Sequence, residues 1–374
     1  MQDITLVLLA AGSASRFGSP TKKQWLYQDK KPLWLAVSDR FQNSFNFSKI
    51  IIVCGGDEIG YMKQFSNYSC VTGGNSREAS LSNALRHVET PLVLVSDIAR
   101  CCIDTEMIER IIAKKDMADC IVPVIKAVDT LYMEGNPIDR DSIRIIQTPQ
   151  LSKTDSLKKA LATMEGFTDE SSAIKASGGE ILFVEGSIKA HKLTTQDDLK
   201  RLPCLTPPSS ETFVGFGIDI HPFEEGKTMK LCGITIDSPF GFKAHSDGDV
   251  AIHALIDALL GAAGMGDIGE LFPDTDTAYA GADSSILLQQ VVKKIRAFGF
   301  EIINVDMTIL AQTPRLLPYK QAMRKQIASL LEITPIRTNI KATAAEKMGF
   351  VGREEGVTVH AVASLQYFNW EKAL

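Results

Sequence analysis

Between Ala244 and Asp257 the chain sets two histidines and three aspartates, His245, Asp247, Asp249, His253 and Asp257, into fourteen residues that otherwise read as the start of an apolar helix. Imidazole and carboxylate are metal ligands, and serine or backbone N–H at a helix start holds phosphate, so metal or phosphate binding is the chemistry this density suggests. A purely structural reading also stands, with Ser246 and Asp247 as caps and Asp249 complementing the macrodipole. Against it, His253 and Asp257 stand four apart and share one helix face among Ala and Leu. Upstream, Gly217-Ile218-Asp219-Ile220-His221 reads as a strand whose period of two points Asp219 and His221 the same way. With His253 they make three ligands and an open position, as in a catalytic rather than a structural zinc site.

A second centre lies near the N-terminus. Ala10 to Gly18 follows a short apolar run with small residues and backbone N–H groups where an anion could approach, and Arg16, Lys22 and Lys23 lie close by. It matches neither Gly-x-Gly-x-x-Gly nor the P-loop, which disfavours a dinucleotide oxidoreductase or an NTPase. Gly73-Gly74-Asn75-Ser76-Arg77-Glu78-Ala79-Ser80 is a second glycine turn at a helix start, suited to a ribose or base. Asp97 closes an apolar strand, where a carboxylate can hold Mg²⁺ between phosphates.

Two architectures must position these groups. Apolar runs at Ile4 to Leu9, Ile50 to Cys54, Pro91 to Ser96 and Cys120 to Ile125 alternate with helical patterns at Leu33 to Phe45, Ser76 to Val88 and Thr105 to Lys115, predicting an α/β domain with a mostly parallel sheet. Ligands then sit beyond the C-terminal strand ends. Asp129 to Ile146, with Gly135, Asn136 and Pro137, reads as a projecting hairpin arm. Helices near Asp155 to Met164 and Asp169 to Ser177, a strand near Ile181 to Val184 and a closing helix from Thr195 to Leu202 complete residues 1–202. A proline- and serine-punctuated stretch, 203–212, is expected to be a short stiff linker. Residues 213–374 then predict an α+β domain. Its strands are expected at Phe213 to Ile220, Met229 to Ile236, Glu301 to Ala311, Ile336 to Thr343 and Thr358 to Gln366. Helices are expected after Ser246, at Ser284 to Phe298 and at Pro318 to Leu331.

At 374 residues the chain exceeds what one core usually supports, which agrees with two domains. A net charge of -5 offers no footprint for nucleic acid or an anionic membrane, so any phosphate binding must be local. No run approaches the roughly 18 apolar residues needed to span a bilayer, and the N-terminus lacks a signal-peptide pattern. The seven cysteines, odd in number and without C-x-x-C spacing, predict free thiols in a reducing cytoplasm.

The stretch from about residue 3 to 202 resembles the 2-C-methyl-D-erythritol 4-phosphate cytidylyltransferase family, on the loops above and on Asp129-Thr130, Thr148-Pro149-Gln150, Thr168-Asp169-Glu170 and Lys192-Leu193-Thr194, the last read as a strand. The resemblance implies a nucleotidyltransferase-like fold in which Arg16 and Lys23 stabilise the attacked α-phosphate. It implies Asp97 for Mg²⁺ or Mn²⁺ and the ribose, Lys192 for the triphosphate, and Gly74, Asn75 and Ser80 for the cytidine of CTP, with Gly12 as a further substrate-binding residue. Thr130, Arg140, Thr148 and Thr168 would receive methylerythritol phosphate, with Arg140 on the arm offered by a neighbouring subunit. Ile98 and Cys101 depart from the usual Asp-Ala-Ala-Arg-Pro, and Asn75 stands where Asp is common.

Residues from about 213 to 368 are similar to 2-C-methyl-D-erythritol 2,4-cyclodiphosphate synthase. The likeness rests on Asp219-x-His221, Ala244 to Asp249, Asp267-Ile268-Gly269, Phe272-Pro273-Asp274, Lys341-Ala342-Thr343 and Glu346-Lys347. It implies Zn²⁺ on Asp219, His221 and His253, and Mg²⁺ or Mn²⁺ at Glu346. His245 and Ser246 would hold the attacking phosphate, Asp267 and Gly269 the ribose, and Asp274 the diol. Ala311 to Leu317 would cradle cytosine and Thr343 would contact phosphate, although Ala344 and Ala345 replace common threonines; Arg353 is a further substrate-binding residue. Asp247 and Asp249 are left as caps or supporting groups, and Asp257 as a carboxylate orienting His253.

Together the two resemblances imply one cytoplasmic bifunctional enzyme, a homo-oligomer (trimer or hexamer), with no nucleic-acid or membrane partner. The two steps are not consecutive, because no kinase signature lies in the chain, so a complex with the intervening pathway kinase is a further expectation. The alternatives are a sugar-phosphate nucleotidyltransferase of another base specificity fused to a metal-dependent phosphate-binding module, and a scaffold protein carrying relic residues.

Overall fold

A computed structural model describes residues 3–12, 15–163, 166–273, 275–276, 279 and 281–372. It divides into two compact units, Met1–Pro208 with Trp370–Leu374, and Ser209–Asn369. The chain end thus groups with the first unit, where Trp370 is buried and its indole N–H donates to the Tyr27 carbonyl at 2.8 Å.

The first unit is built on β1 (Ile4–Leu9), β2 (Lys49–Cys54), β3 (Ser69–Thr72), β4 (Leu92–Asp97), β5 (Cys120–Lys126), β8 (Arg144–Ile146), β9 (Gln150–Lys153) and β10 (Ile181–Glu185), with β6 (Leu131–Met133) and β7 (Asn136–Ile138) forming a separate hairpin. The sheet order is β8-β5-β9-β4-β1-β2-β3, with β10 beside β5. The contacts among β1, β2, β3 and β4 and between β5 and β10 are parallel, whereas β8 and β9 run antiparallel to their neighbours. All six residues of β1 are buried, as a central strand covered on both faces requires. Around it lie α1 (Leu33–Ser44), α2 (Arg77–Leu85), α3 (Thr105–Ile112), α4 (Thr154–Thr163) and α5 (Glu170–Ala176).

The expected arm is present as the β6–β7 hairpin. Glu134 and Gly135 at its tip have φ of 50° and 83°, the left-handed pair of a type I′ turn. Three expectations are corrected. Lys192-Leu193-Thr194 is not a strand: Leu193 N–H bonds the Ala99 carbonyl and the Lys23 ammonium bonds the Leu193 carbonyl, so tertiary partners replace a ladder. The closing helix is a 3-10 segment, Gln196–Arg201. Cys102 and Cys204 form a disulfide rather than free thiols, their Cα atoms 5.4 Å apart across 102 residues, within the range such a bond spans.

The second unit contains β11 (Thr212–Glu225), a hairpin of β12 (Met229–Leu231) and β13 (Ile234–Ile236) where one strand was expected, β14 (Phe240–Phe242), β15 (Phe300–Leu310), β16 (Thr338–Thr343) and β17 (Gly356–Tyr367). Its sheet order is β14-β11-β17-β15-β16, antiparallel except for the parallel pair β15–β16. The longer helices are α6 (Val250–Ala263), α7 (Ser284–Ala297) and α8 (Lys320–Leu330). Gly215 and Gly217 let α6 lie directly on β11, because a Cβ at either would collide with the Ala258 or the Ala254 carbonyl. The opposite face of β11 carries Val214, Phe216, Ile218 and Ile220, 64, 58, 45 and 50% exposed. Among the described residues, no helix is long and apolar enough to cross a membrane.

Candidate active sites

In the first unit, β1 and β4 are paired so that Leu9 lies beside Asp97. The loops leaving their C-terminal ends wall a cavity of about 530 Å³, lined among others by Gly12, Arg16, Lys23, Gly74, Asn75, Arg77, Ser80, Asp97 and Lys192. Its floor is tight because Gly73 and Gly74 have no room for a Cβ, which would strike Ala11 and Ala79. Ser80 Oγ accepts from Gly74 N–H at 3.0 Å and so fixes the second glycine turn. Ser76 caps α2 by accepting from Ala79 N–H.

The cavity's electrostatics follow from crowding. Burial, then the nearby charges of Arg16 and Lys192, bring Lys23 down to about 8. Burial pushes the Asp97 carboxyl up, but Arg77 (3.1 Å) and Lys192 (2.6 Å) more than offset it and hold it below the usual carboxylate range. Arg77 was not singled out from the sequence. Its guanidinium reaches Asp97 on one side and Glu170, buried completely, on the other at 2.7 Å. Burial opposes both charges of that pair, yet arginine does not give up its proton in proteins, so the ion pair is the state held. A cation in the first turn of α2 opposes the macrodipole and needs an acidic partner, which was the available signal.

Four expected residues lie outside this cavity. Thr148 is buried behind it, its hydroxyl accepting from Asp97 N–H at 3.4 Å. Thr130, Arg140 and Thr168 are exposed, and Arg140 donates to the Val128 carbonyl at the base of the arm.

In the second unit, the face of β11 that meets α6 continues past Gly215 and Gly217 to Asp219 and His221, which therefore arrive beside His253. Asp219 Oδ2 lies 3.0 Å from His221 Nε2 and 3.2 Å from His253 Nδ1, yet it is a buried oxygen without a hydrogen bond. The rings explain this. His221 Nδ1 lies 3.0 Å from the Gly248 carbonyl, which only accepts, so that nitrogen carries the proton. Nε2 is then the nitrogen left facing Asp219, whose charge draws a proton or a cation to it. Asp219, His221 and His253 gather one ligand atom each around one point, with an orphaned buried oxygen among them, and so could hold a metal ion.

These ligands open on a cavity of about 310 Å³, also lined by His245, Ser246, Asp257, Gly269 and Phe272. Asp249 is a support: buried completely, it accepts from Ile252, Cys232 and Gly233 N–H, tying the helix start to the β12–β13 hairpin, and burial raises its carboxyl. Asp257 does not orient His253. Its carboxylate accepts from Ile268 N–H at 2.8 Å, because the short helix starting there has backbone donors to satisfy. Asp267 likewise caps that helix through Glu270 N–H. Asp274 lies outside the described residues.

Thr343, Glu346 and Arg353 do not line this cavity. All three are exposed, and Arg353 pairs with Glu355 at 2.8 Å. The strand register shows why they stand apart: Ile220, Thr358, Leu310 and Thr343 lie in one cross-strand row. Thr343 is therefore three strand spacings, about 14 Å, from the metal ligands' strand. The loop after Leu310 joins this far edge, with Ala311 N–H on the Thr343 carbonyl and Lys347 N–H on Gln312.

Two known families match successive parts of the chain. A family model described as 2-C-methyl-D-erythritol 4-phosphate cytidylyltransferase (IspD) matches residues 4–204, and the YgbB family model matches residues 212–366. The chain is 62% identical to "Bifunctional enzyme IspD/IspF" of Sulfurovum sp. (strain NBC37-1), covering 100% of both chains. It is 54% identical to the protein of that name from Sulfurimonas denitrificans, covering 100% of this chain and 96% of the relative. The solved structure of the bifunctional IspDF from Campylobacter jejuni superposes with a TM-score of 0.92 at 46% identity, covering 99% of this chain and 100% of that one.

Proposed function

Because the chain belongs to the bifunctional IspD/IspF enzymes, with the cytidylyltransferase and cyclodiphosphate synthase activities of the methylerythritol phosphate pathway to isoprenoids, we propose how its own residues divide the two reactions. In the first unit, the 4-phosphate of methylerythritol attacks the α-phosphorus of CTP and pyrophosphate leaves. Arg16, Lys23 and Lys192 line the cavity where the triphosphate would sit, and their fixed charges offset what gathers on the phosphoryl oxygens. Gly12, Gly74, Asn75 and Ser80 hold the cytidine by close backbone approach. Asp97 faces the ribose and would take Mg²⁺ or Mn²⁺, with the half-exposed Lys192 the partner that yields. Thr130, Arg140, Thr148 and Thr168 receive the methylerythritol phosphate, the arm reaching the site of another copy. The arm's exposed Tyr132 and Met133 support such a contact.

In the second unit, the 2-phosphate of CDP-methylerythritol 2-phosphate attacks its own β-phosphorus and CMP leaves. Asp219, His221 and His253 would hold Zn²⁺, which when bound supplies Lewis-acid polarisation of a phosphoryl oxygen. His245 and Ser246 position the attacking phosphate, Asp267 and Gly269 the ribose, and Asp274 the diol. Residues 311–317, Thr343, Glu346 with Mg²⁺ or Mn²⁺, and Arg353 serve the cytidine diphosphate end. The orphaned Asp219 oxygen carries the metal reading.

The gap of three strand spacings between the two groups supports a site shared by neighbouring copies, and the apolar outer face of β11 supports a closed homo-oligomer such as a trimer. Complementation tests this. Asp219→Ala and Glu346→Ala should each lose CMP release while keeping pyrophosphate release from CTP. Co-expressed, they should regain up to about a quarter of wild-type CMP release, the share of sites that draw each half from an intact copy. No regain would refute the shared site. The reading places the enzyme in the cytoplasm, where the intervening kinase must act on its first product; a complex between the two predicts co-sedimentation at micromolar concentration.

A further inference from the structure

Behind the metal ligands a chain of polar contacts leads from His253 away from the substrate cavity. His253 presents Nδ1 to Asp219, while its Nε2 lies 3.0 Å from Ser284 Oγ and 3.1 Å from Ser246 Oγ. Ser246 lines the cavity, and its oxygen already accepts from Gly248 N–H. Ser284 differs: it is 0% exposed, is the first residue of α7, and does not line the cavity. Its hydroxyl donates to Asp247 Oδ1 at 2.6 Å, so its lone pairs face the imidazole and accept Nε2–H. The Asp247 carboxylate is held in turn by the Ser284 backbone N–H at 3.3 Å and by the Lys230 ammonium on β12 at 3.0 Å. Lys230 also reaches Asp283, the residue that caps α7, at 3.3 Å.

We propose that Ser284, backed by Asp247 and Lys230, is a positioning relay that fixes the His253 ring so that Nδ1 keeps its lone pair for the metal. The inference rests on the metal reading of Asp219, His221 and His253. Metal-bound imidazoles commonly hand their second N–H to a carboxylate or carbonyl, which sets the tautomer and raises the ligand's basicity. Here a buried hydroxyl stands between ring and carboxylate, and a lysine fixes the carboxylate from a third element. None of the three residues contacts substrate in this arrangement. Their effect passes through His253, and it is felt in metal affinity before any turnover.

The test is Zn²⁺ affinity of the full-length protein without substrate, by competition with a chromophoric chelator, with pyrophosphate release from CTP as a check on the first unit and circular dichroism as a check on folding. Ser284→Ala should weaken Zn²⁺ binding by about 10- to 100-fold, and Asp247→Asn by a similar factor. Ser284→Thr, which keeps the hydroxyl, should stay within about threefold of wild type. Lys230→Met, at a partly exposed position where the ion pair is weakened by solvent, should lose only a few-fold. A Ser284→Ala protein that binds Zn²⁺ as wild type does, or a Ser284→Thr protein as weak as Ser284→Ala, overturns the relay. If Asp219→Ala also leaves Zn²⁺ affinity unchanged, the metal reading has failed; if Asp219→Ala abolishes binding and Ser284→Ala does not weaken it, only the relay has failed.

Discussion

Gly217→Ala adds one methyl group and should disable the second site while sparing the first. The new Cβ would meet the Ala254 carbonyl and the Ala258 amide of α6, with Asp257 Cβ at 3.0 Å. These obstacles are helix backbone, which cannot swing aside as a side chain can, so β11 and α6 must separate. Overpacking of this kind costs about 1–3 kcal/mol, and a backbone collision places it at the upper end. About 3 kcal/mol lowers the midpoint of a unit this size by roughly 6–12 °C. The separation acts where it matters, because Asp219 follows Gly217 on the same strand face and His253 precedes Ala254 on the helix. A shift on the order of 1 Å between catalytic groups costs about 10²-fold in rate. The assay is CMP release and Zn²⁺ content of the full-length variant, with pyrophosphate release from CTP as the internal reference. Gly261→Ala on the same helix is the matched control: a Cβ there meets nothing within 4 Å, and helix propensity favours the change by up to about 1 kcal/mol. Wild-type metal content and CMP release in Gly217→Ala, or equal loss of both activities, would refute the packing argument.

Two further outcomes follow from the first unit. Lys23 sits at about 8 because of burial and its cationic neighbours, so it is charged below that pH and neutral above it; kcat/KM for CTP should fall as pH rises through about 8, and Lys23→Arg should remove that limb while lowering the plateau. Glu170→Gln leaves Arg77 with half its charged partners, a loss of about 1.5–3 kcal/mol. The heat-inactivation midpoint of pyrophosphate release should then drop by roughly 3–12 °C and that of CMP release should not; equal drops in both would count against a local role.

What could be read in the sequence was whatever follows from short-range periodicity. Ile4 to Leu9 is apolar but for Thr5 and became the central strand; Asp219 and His221, two apart, came to share a face; Gly135 and the glycines at 73–74 marked real turns. Pairings set by tertiary competition were not readable. The i, i+4 spacing put Asp257 on the face of His253, but could not show that Ile268 N–H, a donor at a helix start, would claim its carboxylate. Cys102 and Cys204 carry no spacing signal across 102 residues, and only the fold brings them together. Lys192 to Thr194 looks like a strand, yet its partners are a lysine and a loop carbonyl rather than a strand.

The two units differ most in how far a motif reaches toward a site. In the first, parallel strands release Gly12 and Asp97 from adjacent carboxyl ends, so loops distant in sequence converge on one cavity and the motif residues find each other within a single chain. In the second, the same kind of reading finds two sound motifs, Asp219-x-His221 and Lys341-Ala342-Thr343, that lie in one cross-strand row with β17 and β15 between them. A row is a property of register, which no local pattern encodes. Rotating a copy about an axis beside β11 is what could bring the far edge of one sheet to the near edge of the next. The apolar stripe of Val214, Phe216, Ile218 and Ile220 is on the face such an axis would cover. On the shared-site proposal, the stripe that the strand period turns away from Asp219 and His221 would be the surface that recruits the other half of the site.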